Sequence, residues 1–122
     1  MVNNVSEIMT AKLETIELGH SSQKAAKMMS DKKISSLIVV DDGGRAVGIV
    51  TERDLVRKVC SQDSSSKDFT VKDVMSSPIV TIDSSSSMEN AVNTMITSKL
   101  RHVIVSEGNQ TMGIISSTNL IN

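Results

Sequence analysis

The chain has 122 residues, enough for one ordinary domain or two small ones sharing a core. Its 13 basic residues stand against 14 acidic ones with no Lys- or Arg-rich strip, and Phe69 is its only aromatic residue, so neither phosphate neutralisation nor base stacking supports a nucleic-acid binder. Aliphatic runs such as Leu37 to Val40 fall far short of the roughly 20 residues needed to cross a bilayer, which argues against a membrane span.

The opening Met1-Val2-Asn3-Asn4 lacks the charged start and apolar core of a secretion signal, and the lone Cys60 allows no internal disulfide. A cytoplasmic protein is therefore the expectation. Leu13 to Ile16 reads as a short strand. The polar stretch after it opens a helix with Ala25, Ala26, Met28 and Met29 on its apolar side, methionines that core packing accounts for. Leu37 to Val40, the turn Asp41-Asp42-Gly43-Gly44 and Ala46 to Val50 read as a β-hairpin.

At Gly48-Ile49-Val50-Thr51-Glu52-Arg53-Asp54-Leu55 the apolar run ends in a hydroxyl residue with an acid three positions later. This predicts a strand turning into a helix that runs to about Cys60, with Thr51 as N-cap. The unpaired N–H groups of such a helix end suit an anion, although Thr51 and Asp54 equally form a capping box that merely satisfies those donors. A polar linker, 61–70, follows.

Val5, Met9, Thr15, Ile16, Ala25, Met29, Lys33, Ile38 and Val39 recur 66 residues later as Val71, Met75, Thr81, Ile82, Ala91, Met95, Lys99, Ile104 and Val105. The offset falls to 65 after the hairpin turn, where Gly48 matches Gly113, so one residue is deleted in a turn, as two copies of one fold should show. The copies are 5–60 and 71–122. In the second, Ile79 to Ile82 is the strand, Ser86 and Glu89 read as a capping box, and Met88, Ala91, Val92, Met95 and Ile96 fall on one helical face. Val103 to Val105 and Met112 to Ile115 are the second hairpin, followed by Ser116-Ser117-Thr118-Asn119. The second copy ends within the first turn of the helix equivalent to that after Thr51, so its final helix is expected to be truncated.

This order, with Val-x-x-Ile-Met-Thr at Val5, Val-x-x-Val-Met-Ser at Val71, Thr-Ile at Thr15 and Thr81, and Gly-Ile-Val-Thr-x-x-Asp at Gly48, resembles a tandem pair of cystathionine-β-synthase (CBS) domains, a Bateman module. The resemblance implies an α+β fold of two β-α-β-β-α repeats packed sheet to sheet about a pseudo-twofold axis, with two clefts that take adenosine-containing ligands. Asp54 would accept hydrogen bonds from the ribose diol, as an ionised carboxylate suits two donors. Thr51 and Arg53 would lie beside it, Ser77, Pro78 and Ile79 would hold the adenine, and Arg101 or His102, with Arg101 preferred, would face phosphate. A second, weaker cleft would have Asn119 in place of the acid, with Thr10, Lys12, Leu13, Ser35, Ser36, Ser116 and Thr118.

The function so implied is a regulatory sensor, likened to a stand-alone CBS-domain protein, that binds AMP, ADP or ATP, S-adenosylmethionine and NAD being the other candidates. It would form a homodimer and act on an effector protein in trans, the adenine nucleotide being a regulatory ligand rather than a catalytic cofactor. No nucleophile triad, metal-ligand spacing or Walker-type loop argues for an enzyme. A structural assembly module with vestigial sites is the competing expectation.

Overall fold

The computed structural model describes residues 4–11, 13–62, 65 and 68–120, and it divides into two compact units. In Glu14–Ile79 the apolar run Leu37, Ile38 and Val39 is buried on both faces, which marks a central strand. Strand β2 (Ser36–Val40) accordingly lies between β1 (Thr15–Glu17) and β3 (Ala46–Thr51). The β1–β2 pair is parallel, with Ile16 opposite Val39, so it requires a crossover, and helix α1 (Ser22–Lys32) supplies it. The β2–β3 pair is the expected antiparallel hairpin, whose turn is tied by Asp41 Oδ1 accepting from the amides of Gly43 and Arg45 at 2.9 and 3.0 Å. Helix α2 (Glu52–Lys58) follows β3 directly.

The other unit comprises the described residues of Met1–Leu13 and Val80–Asn122 and repeats the plan. Strand β5 (His102–Glu107) is central between β4 (Thr81–Asp83) and β6 (Gln110–Ser116), with helix α4 (Met88–Ser98) as the crossover. A 3-10 turn, Ser117–Leu120, occupies the place of α2. Helices α1 and α4 both end on a left-handed lysine, Lys33 (φ 56°) and Lys99 (φ 57°), at equivalent positions. The amides of Ile34 and Leu100 then bond back to Met29 and Met95, satisfying carbonyls the helix leaves open.

Each unit is completed by the opening segment of the other repeat. Helix α3 (Val71–Val74) begins the second repeat, yet Val71 and Val74 are buried with Ile16, Met29, Leu37, Val39, Val50 and Val59 of the first. Symmetrically, Val5 is buried with Ile82, Met95, Val103 and Ile115. Beyond these anchors the chain adds to the sheet edge. Ser76 exchanges both backbone hydrogen bonds with Ile49, and Thr10 does the same with Ile114. Gly48 and Gly113 make the approach possible: a Cβ on Gly48 would lie 2.6 Å from the Met75 sulfur and 3.0 Å from Ser76 O, and on Gly113 2.6 Å from the Met9 sulfur and 2.8 Å from Thr10 O.

Several local expectations are corrected. The N-cap of α4 is Ser87, whose hydroxyl accepts from the Asn90 amide, rather than Ser86 with Glu89. Ser86 is already spent, its amide on Asp83 O and its carbonyl on the Val5 amide. On α4 only Ala91 and Met95 are buried, whereas Ile96 is 69% and Val92 38% exposed, so the buried stripe is narrower than the apolar one. Strands β1 and β4 start at Thr15 and Thr81, where pairing with the central strand begins, two residues later than expected. Helix α2 stops at Lys58 because Val59, 1% exposed, turns into the core, and the chain continues as a 3-10 turn at Cys60–Gln62.

Candidate functional site

Asp54 is the most deeply placed charge at the expected turn, with Thr51 and Asp54 only 9% and 8% exposed. The local sequence dictates the geometry. Thr51 ends β3 in an extended conformation, its hydroxyl accepts from the Asp54 amide at 3.1 Å, and Asp54 Oδ2 accepts from the Thr51 amide at 2.9 Å. The capping box is therefore formed. The Thr51 hydroxyl also lies 3.1 Å from Oδ2.

The other oxygen, Oδ1, has partners from outside the turn. Ser76 Oγ donates to it at 3.2 Å, and Lys58 Nζ, one helical turn along α2, lies 3.3 Å away. Lys58 also donates to the carbonyls of Val74 at 2.9 Å and Met75 at 3.4 Å, at the end of α3. A carboxylate has about four lone-pair positions. Thr51 N–H, Thr51 Oγ and Ser76 Oγ take three of them by hydrogen bonds, and Lys58 Nζ adds an ion pair.

The helix end itself offers an anion less than expected. The Glu52 amide bonds to Ser35 O at 3.1 Å and the Asp54 amide to the Thr51 hydroxyl, so these leading N–H groups of α2 are spent within the fold. Ser77 and Pro78, joined by a cis peptide bond, are exposed and Ile79 is half-buried; in sequence they follow Ser76, whose hydroxyl reaches Oδ1. Arg53 is exposed, and Ser35 and Ser36 pair in backbone with the Thr51–Glu52 turn.

The second turn copies the cap with different chemistry. Asn119 Oδ1 accepts from the Ser116 amide at 2.8 Å and the Ser116 hydroxyl at 2.9 Å, the places that Asp54 Oδ2 fills at Thr51. Those two donors orient the amide: its oxygen faces the turn, so Nδ2 takes the outward position held by Oδ1 in Asp54. An acceptor has become a donor. Arg101 and His102 lie in this unit, Arg101 O accepting from the Ser117 amide at 2.9 Å and His102 pairing with Ser116. Thr10 pairs with Ile114 and Leu13 is half-buried, whereas Lys12 and the side chain of Thr118 lie outside the described residues.

Sequence reasoning passed over Ser76 and Lys58. Both had a signal: Lys58 stands at i+4 from Asp54 on one helix face, and Ser76 is the repeat equivalent of Thr10. Among the described residues, no three His, Cys, Asp or Glu side chains gather as metal ligands, and no helix is long and apolar enough to cross a membrane.

The CBS-domain family model matches residues 5–61 and 71–122. The chain belongs to the CBS-domain family. CBS domains are generally regulatory modules that bind adenosine-containing ligands. Among relatives, an uncharacterized protein of Methanocaldococcus jannaschii is 33% identical over 96% of the chain, which spans 31% of that relative's length. Among solved structures, a CBS-domain protein from Burkholderia ambifaria is 34% identical with a TM-score of 0.84, the match covering 97% of this chain and 90% of that one. A hexameric CBS-CP12 protein from bloom-forming cyanobacteria is 30% identical with a TM-score of 0.90, covering 98% and 70%. These matches agree with the α+β fold of tandem CBS repeats.

Proposed function

We propose that this CBS pair is a regulatory module that binds an adenosine-containing ligand, AMP, ADP or ATP in preference, through the ribose diol at Asp54 and acts on a partner protein in trans. The observation that carries the reading is the division of labour in Asp54. Oδ2 is committed to the helix cap, whereas Oδ1 meets Ser76 and Lys58, contacts that a diol can replace. Ser77, Pro78 and Ile79 are the proposed adenine contacts, and Arg101, with His102 second, the proposed phosphate contact. Binding would act by favouring one of two conformations, and couplings of about 1–3 kcal/mol are typical of such linkage.

The turn at Asn119 supplies the discriminating variant. Because an asparagine holds the same cap there, Asp54→Asn preserves the local fold while turning the outer acceptor into a donor. Calorimetric titration with AMP, ATP, S-adenosylmethionine and NAD should show one site per chain in the wild type, weakened about tenfold or more in Asp54→Asn, since hydrogen bonds to a charged acceptor contribute roughly 1.5–3 kcal/mol. Equal binding by the two proteins would refute the role of Asp54.

A second reading, an assembly module with vestigial sites, is favoured by one observation: the Asp54 carboxylate already has three hydrogen bonds and an ion pair from within the protein. The hexameric state of the cyanobacterial CBS-CP12 protein is compatible with it. Absence of heat from every ligand, in a protein folded by circular dichroism, would select that reading.

A further inference from the structure

Any ligand that uses Asp54 must first displace something. Oδ2 is bound to Thr51 of the same turn, and giving up those contacts would open the end of α2. Oδ1 is different. Its two donors come from groups with somewhere else to go: the Ser76 hydroxyl rotates about one bond, and Lys58 Nζ keeps a shorter contact, 2.9 Å, to Val74 O when it leaves the carboxylate at 3.3 Å. The Lys58 side chain is 42% exposed, so water can also receive it, whereas the Asp54 side chain is 11% exposed.

We infer that Ser76 and Lys58 are affinity-determining residues that hold Asp54 Oδ1 in competition with the ligand's vicinal diol, so that binding exchanges the Ser76 and Lys58 contacts of Oδ1 for contacts to ligand while Lys58 keeps its tie to Val74 O. The inference rests on the proposed role of Asp54 as diol acceptor. It gives the site a built-in threshold. The diol gains only the difference between its hydrogen bonds and those it replaces, and a ligand lacking one hydroxyl gains less still. The exchange also has a place in the chain, because soon after Ser76, at Ile79–Val80, the chain passes from one compact unit into the other.

The test is calorimetric titration of the wild type, Ser76→Ala, Ser76→Thr and Lys58→Met with AMP and with 2′-deoxy-AMP, the folded state being checked by circular dichroism. Ser76→Ala and Lys58→Met should each bind AMP about three- to tenfold more tightly, the range that one net hydrogen bond of roughly 0.5–1.5 kcal/mol allows. Ser76→Thr, which restores the hydroxyl as Thr10 does in the other repeat, should return to the wild-type value. Both gains should be smaller with 2′-deoxy-AMP, which offers one hydroxyl instead of two. Lys58→Met carries the test if Ser76→Ala does not fold. Wild-type binding of AMP with unchanged or weaker binding in both variants would overturn the competition and leave the function standing. Failure of wild type and variants alike to bind AMP would overturn the reading of Asp54 and the competition with it.

Discussion

At the scale of residues, the same three-residue step from hydroxyl to Asx is written twice and performs one duty in common. Thr51 and Ser116 each end a strand and are gripped by Asp54 or Asn119 through backbone and hydroxyl. The cap needs only one acceptor oxygen, so Asp and Asn serve it equally; they differ in what is left over. Thr51→Ala should therefore destabilise the protein by about 1 kcal/mol, the usual cost of an N-cap hydroxyl. Thr51→Ser, with the residue that does this work at position 116, should stay close to wild type. Urea unfolding followed by far-UV circular dichroism measures both. The capping box was legible in the sequence, as was the place of Asp54. The remaining partners of Asp54 were not, because the Lys58 ion pair and the Ser76 hydrogen bond come from outside the turn.

Among the elements, the glycines at 48 and 113 connect the strand edge to the opening segment of the other repeat. Their backbone angles are ordinary; what they supply is the missing Cβ. At both positions an alanine would meet a movable methionine sulfur at 2.6 Å, but the backbone oxygen fixed by its strand pair lies at 2.8 Å for position 113, Thr10 O, and at 3.0 Å for position 48, Ser76 O. Overpacking of this kind costs typically about 1–3 kcal/mol. Gly113→Ala should lie toward the upper end of that range and Gly48→Ala toward the lower, as read from urea midpoints. Trimming Met75 to Ala should recover part of the loss in Gly48→Ala, giving a positive coupling in a double-mutant cycle. The strands were legible from apolar periodicity to within about two residues, whereas α3 was not read as a helix. The errors at Ser86, Ile96 and Cys60 came from tertiary demands: an amide already bonded, a helix face with only a narrow stripe covered, and a valine drawn into the core.

For the molecule as a whole, acid stability follows from carboxylates that cap and turn the chain. Asp73 accepts from the amide of Thr70 and is close to its hydroxyl, and these bonds hold its pKa below the usual 3.8. Asp83 is likewise lowered from 3.8 by the Ser85 hydroxyl and then by the Ser85 amide, which lies at 3.0 Å. A folded-state pKa below the unfolded value means that the unfolded chain takes up the proton first. The stabilisation is complete above about pH 4 to 5 and is lost as pH falls through the lowered folded values. Asp73→Asn with Asp83→Asn should flatten the fall in stability between pH 5 and pH 2.5, measured from urea midpoints across that range, by lowering the plateau above pH 5 and approaching wild type in acid. The expectation of two repeats with one order of elements could be read from spacing alone, since a 66-residue offset survives in any alignment of the chain with itself.

Periodicity, turn chemistry and internal repetition are local properties, and they sufficed to determine the CBS-repeat order, the central strands, and the pair Thr51 and Asp54. The tertiary structure alone decided which core each opening segment enters. Val71 and Val74 are apolar in any arrangement, and only packing tells that they are buried against β1, β2 and β3. That choice in turn brings Ser76 to Asp54 across 22 positions of sequence. A hydrogen-bond inventory depends on such long-range neighbours, so the sequence could name the carboxylate but not the donors with which a ligand has to compete.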